Sequence, residues 1–200
     1  MHSHKYIFIN KEEDFIKSMK KIYYLLGLSL GLVSMNVSAQ KTDDATVNVR
    51  LYPIQTIVVN GSQKIVNLDY KTSADYKNGV ALDEADHLTV YSTGAFAVNV
   101  QSRDAQLSSV NTSITEKINA ADIKITPTAG TTNPLSGSKL STVNLSTTPT
   151  ELISSNIGGV DKTFNVKYSA AGADSYLNKY FNVENPTTYT TVVTYTIVAK

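Results

Sequence analysis

His87 is the only histidine after residue 4, and the chain contains neither cysteine nor tryptophan. Those facts bound the chemistry its side chains can do. A nucleophile–histidine–carboxylate triad would have to run through His87. Its neighbour Asp86 points to the opposite face of any strand the two share, so adjacency does not pair them, and His87 reads as a strand-edge residue rather than a base. A zinc site needs three or four His, Cys or acidic ligands, which one histidine does not supply. His2 and His4 form an H-x-H, but in a segment expected to be removed. Asp83, Glu84 and Asp86 gather oxygen donors of the kind Ca²⁺ prefers, without the D-x-D-x-D-G spacing; they read as a solvated acidic turn. Ser136 and Lys139 match S-x-x-K, whose serine must open a helix, yet they lie in a Gly/Pro/Ser stretch and read as a chance match. Glycoside hydrolysis needs two carboxyl groups facing each other across a cleft, and no spacing brings Glu84, Glu116, Glu151 and Glu184 together. The expectation is no catalytic residue, no metal and no cofactor.

The elements that would carry any binding surface are strands. Period-two alternation, the mark of a sheet with one buried face, recurs along the chain. In residues 45–51 (ATVNVRL) Ala45, Val47, Val49 and Leu51 share one face, with Thr46, Asn48 and Arg50 on the other. Phe96, Val98 and Val100 alternate with polar or small residues, as do Phe164, Val166 and Tyr168. In residues 188–198, Tyr189, Thr191, Val193, Tyr195 and Ile197 form one face. Further strands are expected over 55–59, 64–70, 87–92, 122–126, 140–145 and 151–154. Helical periodicity is confined to a turn or two near 81–85, and 127–139 reads as a loop rather than an interdomain linker. Turn signals such as Asn60-Gly61, Asn78-Gly79 and Gly158-Gly159 separate the strands. The prediction is all-β: one antiparallel β-sandwich over residues 40–200. An outer-membrane barrel would need strands of about 9–11 residues with an apolar lipid-facing row. The predicted strands are mostly shorter, and the chain ends in Lys200. Tyr70, Tyr76, Tyr91, Tyr168, Tyr176, Tyr180, Tyr189 and Tyr195 suffice to build a binding face, although packing within the sandwich accounts for most of them.

Residues 1–39 read as an export signal. Met19-Lys20-Lys21 gives a cationic start, 22–33 (IYYLLGLSLGLV) an uncharged apolar core, and Val37-Ser38-Ala39 a small-residue cleavage site. Cleavage is expected between Ala39 and Gln40. The apolar run is shorter than the roughly 20 residues of a spanning helix. Glu12, Glu13 and Asp14 do not suit a basic leader, so Met19 is the expected start and 1–18 an upstream extension. A cleavage point without cysteine excludes a bacterial lipid anchor. The mature chain must also fold without disulfides, and its length suffices, since a 150-residue domain buries about 68–70% of its unfolded surface.

The whole-chain charge of +1 belongs to that leader. From Gln40 onward 13 Lys and Arg face 14 Asp and Glu, a net charge of −1, with both signs scattered. Nothing resembles the clustered basic face that neutralises phosphates. Neither nucleic acid nor an anionic membrane is an expected partner, and the mature chain has no expected transmembrane segment.

Three stretches, residues 94–100 (GAFAVNV), 162–168 (KTFNVKY) and 189–198 (YTTVVTYTIV), carry a resemblance. With them the chain resembles the small exported β-sandwich proteins of Bacteroidetes-type bacteria that are similar to WxL-like cell-surface domains. Phe96 and Tyr195 stand where that pattern has tryptophan. The resemblance implies a sandwich and residence at the cell envelope, with peptidoglycan attachment in the Gram-positive relatives, and offers no catalytic residue to carry over. The leading expectation is a non-enzymatic protein of the periplasm or cell surface, acting as an adhesive, scaffold or envelope-binding module. The alternative is a subunit of a surface filament built by strand addition, with copies of itself as partners. Its donor would be Val47, Val49 and Leu51, next to a last strand bearing Tyr189, Val193, Tyr195 and Ile197. In the simpler case residues 45–51 pair within their own domain.

Overall fold

The computed structural model describes residues 15–21 and 41–200. The expected signal core at 22–33 and the cleavage pair Ala39 and Gln40 lie outside the described residues. Residues 15–21 form a short helix, α1, and Arg50–Lys200 form one compact unit. Among the described residues, no helix is long and apolar enough to cross a membrane.

The compact unit is an all-β sandwich. Its larger sheet has the order β1 (Gln55–Val59), β2 (Val80–Ser92), β10 (Gly159–Ala170), β6 (Ile123–Ala129), β8 (Val143–Asn144). The facing sheet has the order β12 (Val193–Ala199), β3 (Phe96–Ser102), β9 (Thr150–Ser155), β7 (Lys139–Leu140). A small third sheet joins β11 (Tyr189–Thr190), β4 (Gln106–Ser109) and β5 (Lys117–Asn119). Every pairing is antiparallel. Alternate side chains of the two main sheets meet in the core, where Leu88, Val90, Phe96, Val98, Ile125, Leu152, Ile153, Phe164 and Val166 are at most 1% exposed. Each such side chain gains about 1.5–3 kcal/mol on leaving water. That row replaces the disulfides the chain lacks.

Two bulges interrupt the pairing of β2 with β10. Phe164 faces Leu88 while Val166 faces Glu84, so two residues of β10 span four of β2. The excess is absorbed where Asp86 takes the left-handed conformation, φ 48°. On β10, Gly159 faces Ser92 and Lys162 faces Val90, and Asp161 adopts φ 48°. Bulges re-aim the side chains beside them, and here His87 and Leu88, adjacent in sequence, are both buried.

The structure departs from the alternation in several places, among them 140–145, which is divided between β7 and β8 of different sheets. Residues 45–51 form no strand; 41–54 carry neither helix nor strand and are exposed throughout. Alternation qualifies a segment for pairing, but a strand exists only with a ladder partner. Residues 64–70 fail for the same reason, although Val66, Leu68 and Tyr70 still pack against the core. The helical turn falls at α2 (Ser73–Asn78), and 81–85 belong to β2. Thr72 starts that helix with a capping box: its hydroxyl accepts from the Asp75 N–H at 3.2 Å, and the Asp75 carboxylate accepts from the Thr72 N–H at 2.7 Å. Gly79 ends it at φ 81°, where an added Cβ would sit 2.5 Å from the Ala170 carbonyl oxygen. Finally, the expected long last strand is split at Thr191–Val192 into β11 and β12, each serving a different sheet. The strands are also not uniformly short, since β2 and β10 run 13 and 12 residues.

Candidate functional site

His87 lies in the core at 1% exposure rather than on a strand edge. Its Nδ1 is 3.1 Å from the Gln63 side-chain oxygen, which can only accept, so Nδ1 carries the proton and donates. Nε2 is left to accept from the Tyr168 hydroxyl at 2.7 Å. That hydroxyl accepts in turn from the Tyr195 hydroxyl, also at 2.7 Å. The Gln63 amide donates to the Ala85 carbonyl at 2.9 Å, completing the chain. The run from Tyr195 through Tyr168 and His87 to Gln63 thus has one consistent polarity and joins β12 of one sheet to β10 and β2 of the other. Burial pushes the His87 imidazole below its ordinary pKa. It also pushes Tyr168 up to about 12. Tyr195 rises above the ordinary tyrosine value through burial and then the adjacent Tyr168 hydroxyl. All these groups are held neutral, the state that costs least in a core. A histidine with both nitrogens engaged and almost no solvent contact is built for structure rather than proton transfer to a substrate.

The carboxylates are likewise committed or dispersed. Asp86 turns away from His87, and its Oδ1 accepts from the N–H groups of Thr131 and Thr132 at 2.7 and 3.3 Å. Desolvation would raise its pKa, but the Thr163 hydroxyl and those N–H groups outweigh it and hold the group below its ordinary value. Asp83 lies 3.8 Å from the Lys167 ammonium, Glu151 lies 3.5 Å from that of Lys200, and Glu184 accepts from the Ser109 hydroxyl at 3.1 Å. Among the described residues no three His, Cys, Asp or Glu side chains gather as a metal site would require. Ser136 and Lys139 are exposed, the first in a loop and the second in β7.

That loop is part of the sandwich. Residues 127–129 belong to β6, and residues 130–133 are strapped to β10. The Thr163 N–H donates to the Asn133 carbonyl at 2.9 Å, and the Gly130 N–H donates to the Thr163 carbonyl at 3.0 Å. The Asn133 amide reaches the carbonyls of Val160 and Asp161, both at 3.0 Å. Lys162 closes the strap by donating to Asn133 Oδ1 at 2.7 Å. Replacing Asp86 with Ala removes the acceptor for two loop N–H groups. The expected result is a lower midpoint in chemical denaturation, together with faster amide hydrogen exchange at Thr131 and Thr132. Unchanged exchange there would show that the carboxylate does not hold the loop.

One pole of the sandwich and the edges beside it offer a further surface. At this pole Gln55 faces Ser92, the Ile54 carbonyl accepts from the Thr93 N–H at 3.1 Å, and the Lys200 N–H donates to the Ala95 carbonyl at 3.1 Å. Both ends of the compact unit therefore meet at the β2–β3 turn, around an open depression of about 870 Å³ lined by Leu51, Pro53, Tyr91, Gly158 and Ala199 among others. Upstream, Val47, Val49 and Leu51 are 85%, 81% and 89% exposed. β12 hydrogen-bonds to β3 on one side only, and β1 runs beside it with no ladder between them. On β12, Val193, Tyr195 and Ile197 pack against the core yet stay half-buried. Tyr189 is on β11, its hydroxyl donating to the Lys179 carbonyl at 2.9 Å.

Of the residues singled out by sequence, the structure brings Val193, Tyr195 and Ile197 onto one edge strand and places Tyr189 in another sheet. Val47, Val49 and Leu51 stay outside any sheet. Sequence reasoning missed Gln63 and the meeting of His87 with Tyr168 and Tyr195. Inward alternation was legible for the two tyrosines, but nothing local pointed to Gln63. No family model and no curated protein matches the chain.

Proposed function

We propose that the chain is an exported, non-enzymatic structural or binding protein of the periplasm or cell surface, with envelope components or copies of itself as partners. The observation that supports this best is that His87, the one histidine among the described residues, is buried with both ring nitrogens hydrogen-bonded within the sandwich. The outward positions of the strands include Thr56, Thr128, Thr190, Thr194 and Thr196, a surface suited to contact rather than turnover. The resemblance to WxL-like domains favours the same setting. The test is an assay of purified residues 40–200 against ester, glycoside and peptide substrates. No turnover above background is expected, and turnover that vanishes in His87→Ala would end the proposal.

A second reading is favoured by a separate observation: this protein is a filament subunit assembled by strand addition. Val47, Val49 and Leu51 alternate along a segment with no ladder of its own and are more than 80% exposed, an arrangement that favours completion by another chain. Electron microscopy of material sheared from the cell surface should show fibres containing the chain. Sheared fractions holding it only as a monomer would rule this reading out.

A further inference from the structure

We propose that residues 45–51 of one copy add as an antiparallel strand to the free edge of β12 in a second copy stacked head to tail. This rests on the strand-addition reading and supplies its acceptor, direction and register.

The direction follows from the pole. β1 begins there at Gln55 and runs away from it; β12 begins at the far pole, where Val193 faces Ser102, and ends at the near one, where Ala199 faces Phe96. A neighbour beyond the near pole, in the same orientation, presents the Val193 end of its β12 first. A donor that stays in line with its own β1, read from its N-terminus, comes back from the neighbour toward its own body. It therefore runs opposite to the neighbour's β12 and pairs in the antiparallel mode. To dock on its own β12 the segment would have to reverse at Tyr52–Ile54, around Pro53, and would then run parallel.

The register follows from alternation. The donor stretch has seven residues, as has β12. Setting Asn48 opposite Thr196 places Leu51, Val49 and Val47 opposite Val193, Tyr195 and Ile197. Thr46 and Arg50 then fall opposite Val198 and Thr194. The donor's apolar row extends the half-buried row of β12 along the seam that β12 shares with β1, and its polar row mostly continues the exposed one. A shift by one residue would turn Val47, Val49 and Leu51 to water. The donor also gives partners to the unpaired edge of β12, a feature that sheets otherwise have to protect. Tyr52, Pro53 and Ile54 remain as a connector of about 10 Å.

The chain has no native cysteine, so an introduced pair reports its own contact. Opposed residues in an antiparallel pair have Cβ atoms about 4.5–5.5 Å apart, close to the span of a disulfide. Asn48 and Thr196 are both exposed, and neither substitution touches the core. Purified residues 40–200 carrying Asn48→Cys and Thr196→Cys should give, on mild oxidation, a reducible ladder of dimers and larger species. Mixing the two single variants should give at least tenfold more heterodimer than pairing Asn48→Cys with Val58→Cys, on the outer face of β1. A disulfide confined to one chain, seen as a faster-migrating monomer, would overturn the proposal in favour of self-docking. Assembly that requires residues 41–51 but gives no Asn48–Thr196 cross-link would overturn the acceptor while leaving strand addition standing. Absence of any self-association would remove both.

Discussion

Replacing Phe164 with Ala is expected to cost about 3–5 kcal/mol, at the top of the range for truncating one side chain. Phe164 is fully buried on β10, the strand between β2 and β6, with Leu88 and Ala129 opposite it. Truncation removes an aromatic ring from the layer between the two sheets. The strands on either side are tied by ladders and cannot collapse into the cavity, so most of the void persists. For a domain of this size each kcal/mol is worth about 2–4 °C, which predicts a melting temperature lowered by roughly 6–20 °C. Val58→Ala, on the outward face of β1, is the control and should stay within about 0.5 kcal/mol of the parent. Equal losses at the two positions would show that the core does not lie where the structure puts it.

Tyr168→Phe should cost about 1–3 kcal/mol at neutral pH, because it leaves His87 Nε2 buried without a donor and deprives the Tyr195 hydroxyl of its acceptor. The same network makes stability depend on acidity. The folded-state pKa of His87 is lowered by burial, whereas the unfolded chain's imidazole has the ordinary value of about 6.5. Above that value the histidine is neutral in both states, and its contribution is fully present. As pH falls below it, the unfolded state takes up the proton first, and stability is lost down to the folded-state pKa. One such group gives at most about 1.4 kcal/mol per pH unit. Denaturation of the parent at pH 7.5, 6 and 5 should show that decline. A His87→Gln variant, weaker at pH 7.5, should show a flatter one, since the lowered carboxylates Asp75, Asp86 and Glu151 act only at more acid pH. Parallel slopes would mean that His87 titrates freely in the folded protein.

The sheets were legible where alternation coincided with pairing. Phe96, Val98 and Val100, and Phe164, Val166 and Tyr168, are buried as their spacing implied. The same pattern in residues 45–51 and 64–70 made no strand, because side-chain spacing qualifies a face but cannot supply a neighbour. Alternation locates β2 only from His87 onward because the bulge around Asp86 breaks its parity, so its first half carries no continuous pattern with its second. The polar bridge was beyond reach for a different reason. Its links join residues 24, 81 and 27 positions apart, and no local rule couples distances of that order.

The strand-addition reading requires that residues 45–51 be an unpaired donor segment on a sandwich that folds without them. Sedimentation velocity of residues 40–200, with and without residues 41–51, over a hundredfold range of concentration tests it most directly. The parent should show species larger than a monomer that grow with concentration. The deletion variant should be monomeric throughout, with a melting temperature within about 2 °C of the parent, because the deleted residues are exposed and belong to no sheet. A parent that stays monomeric at every concentration, or a deletion that unfolds the sandwich, would contradict the account.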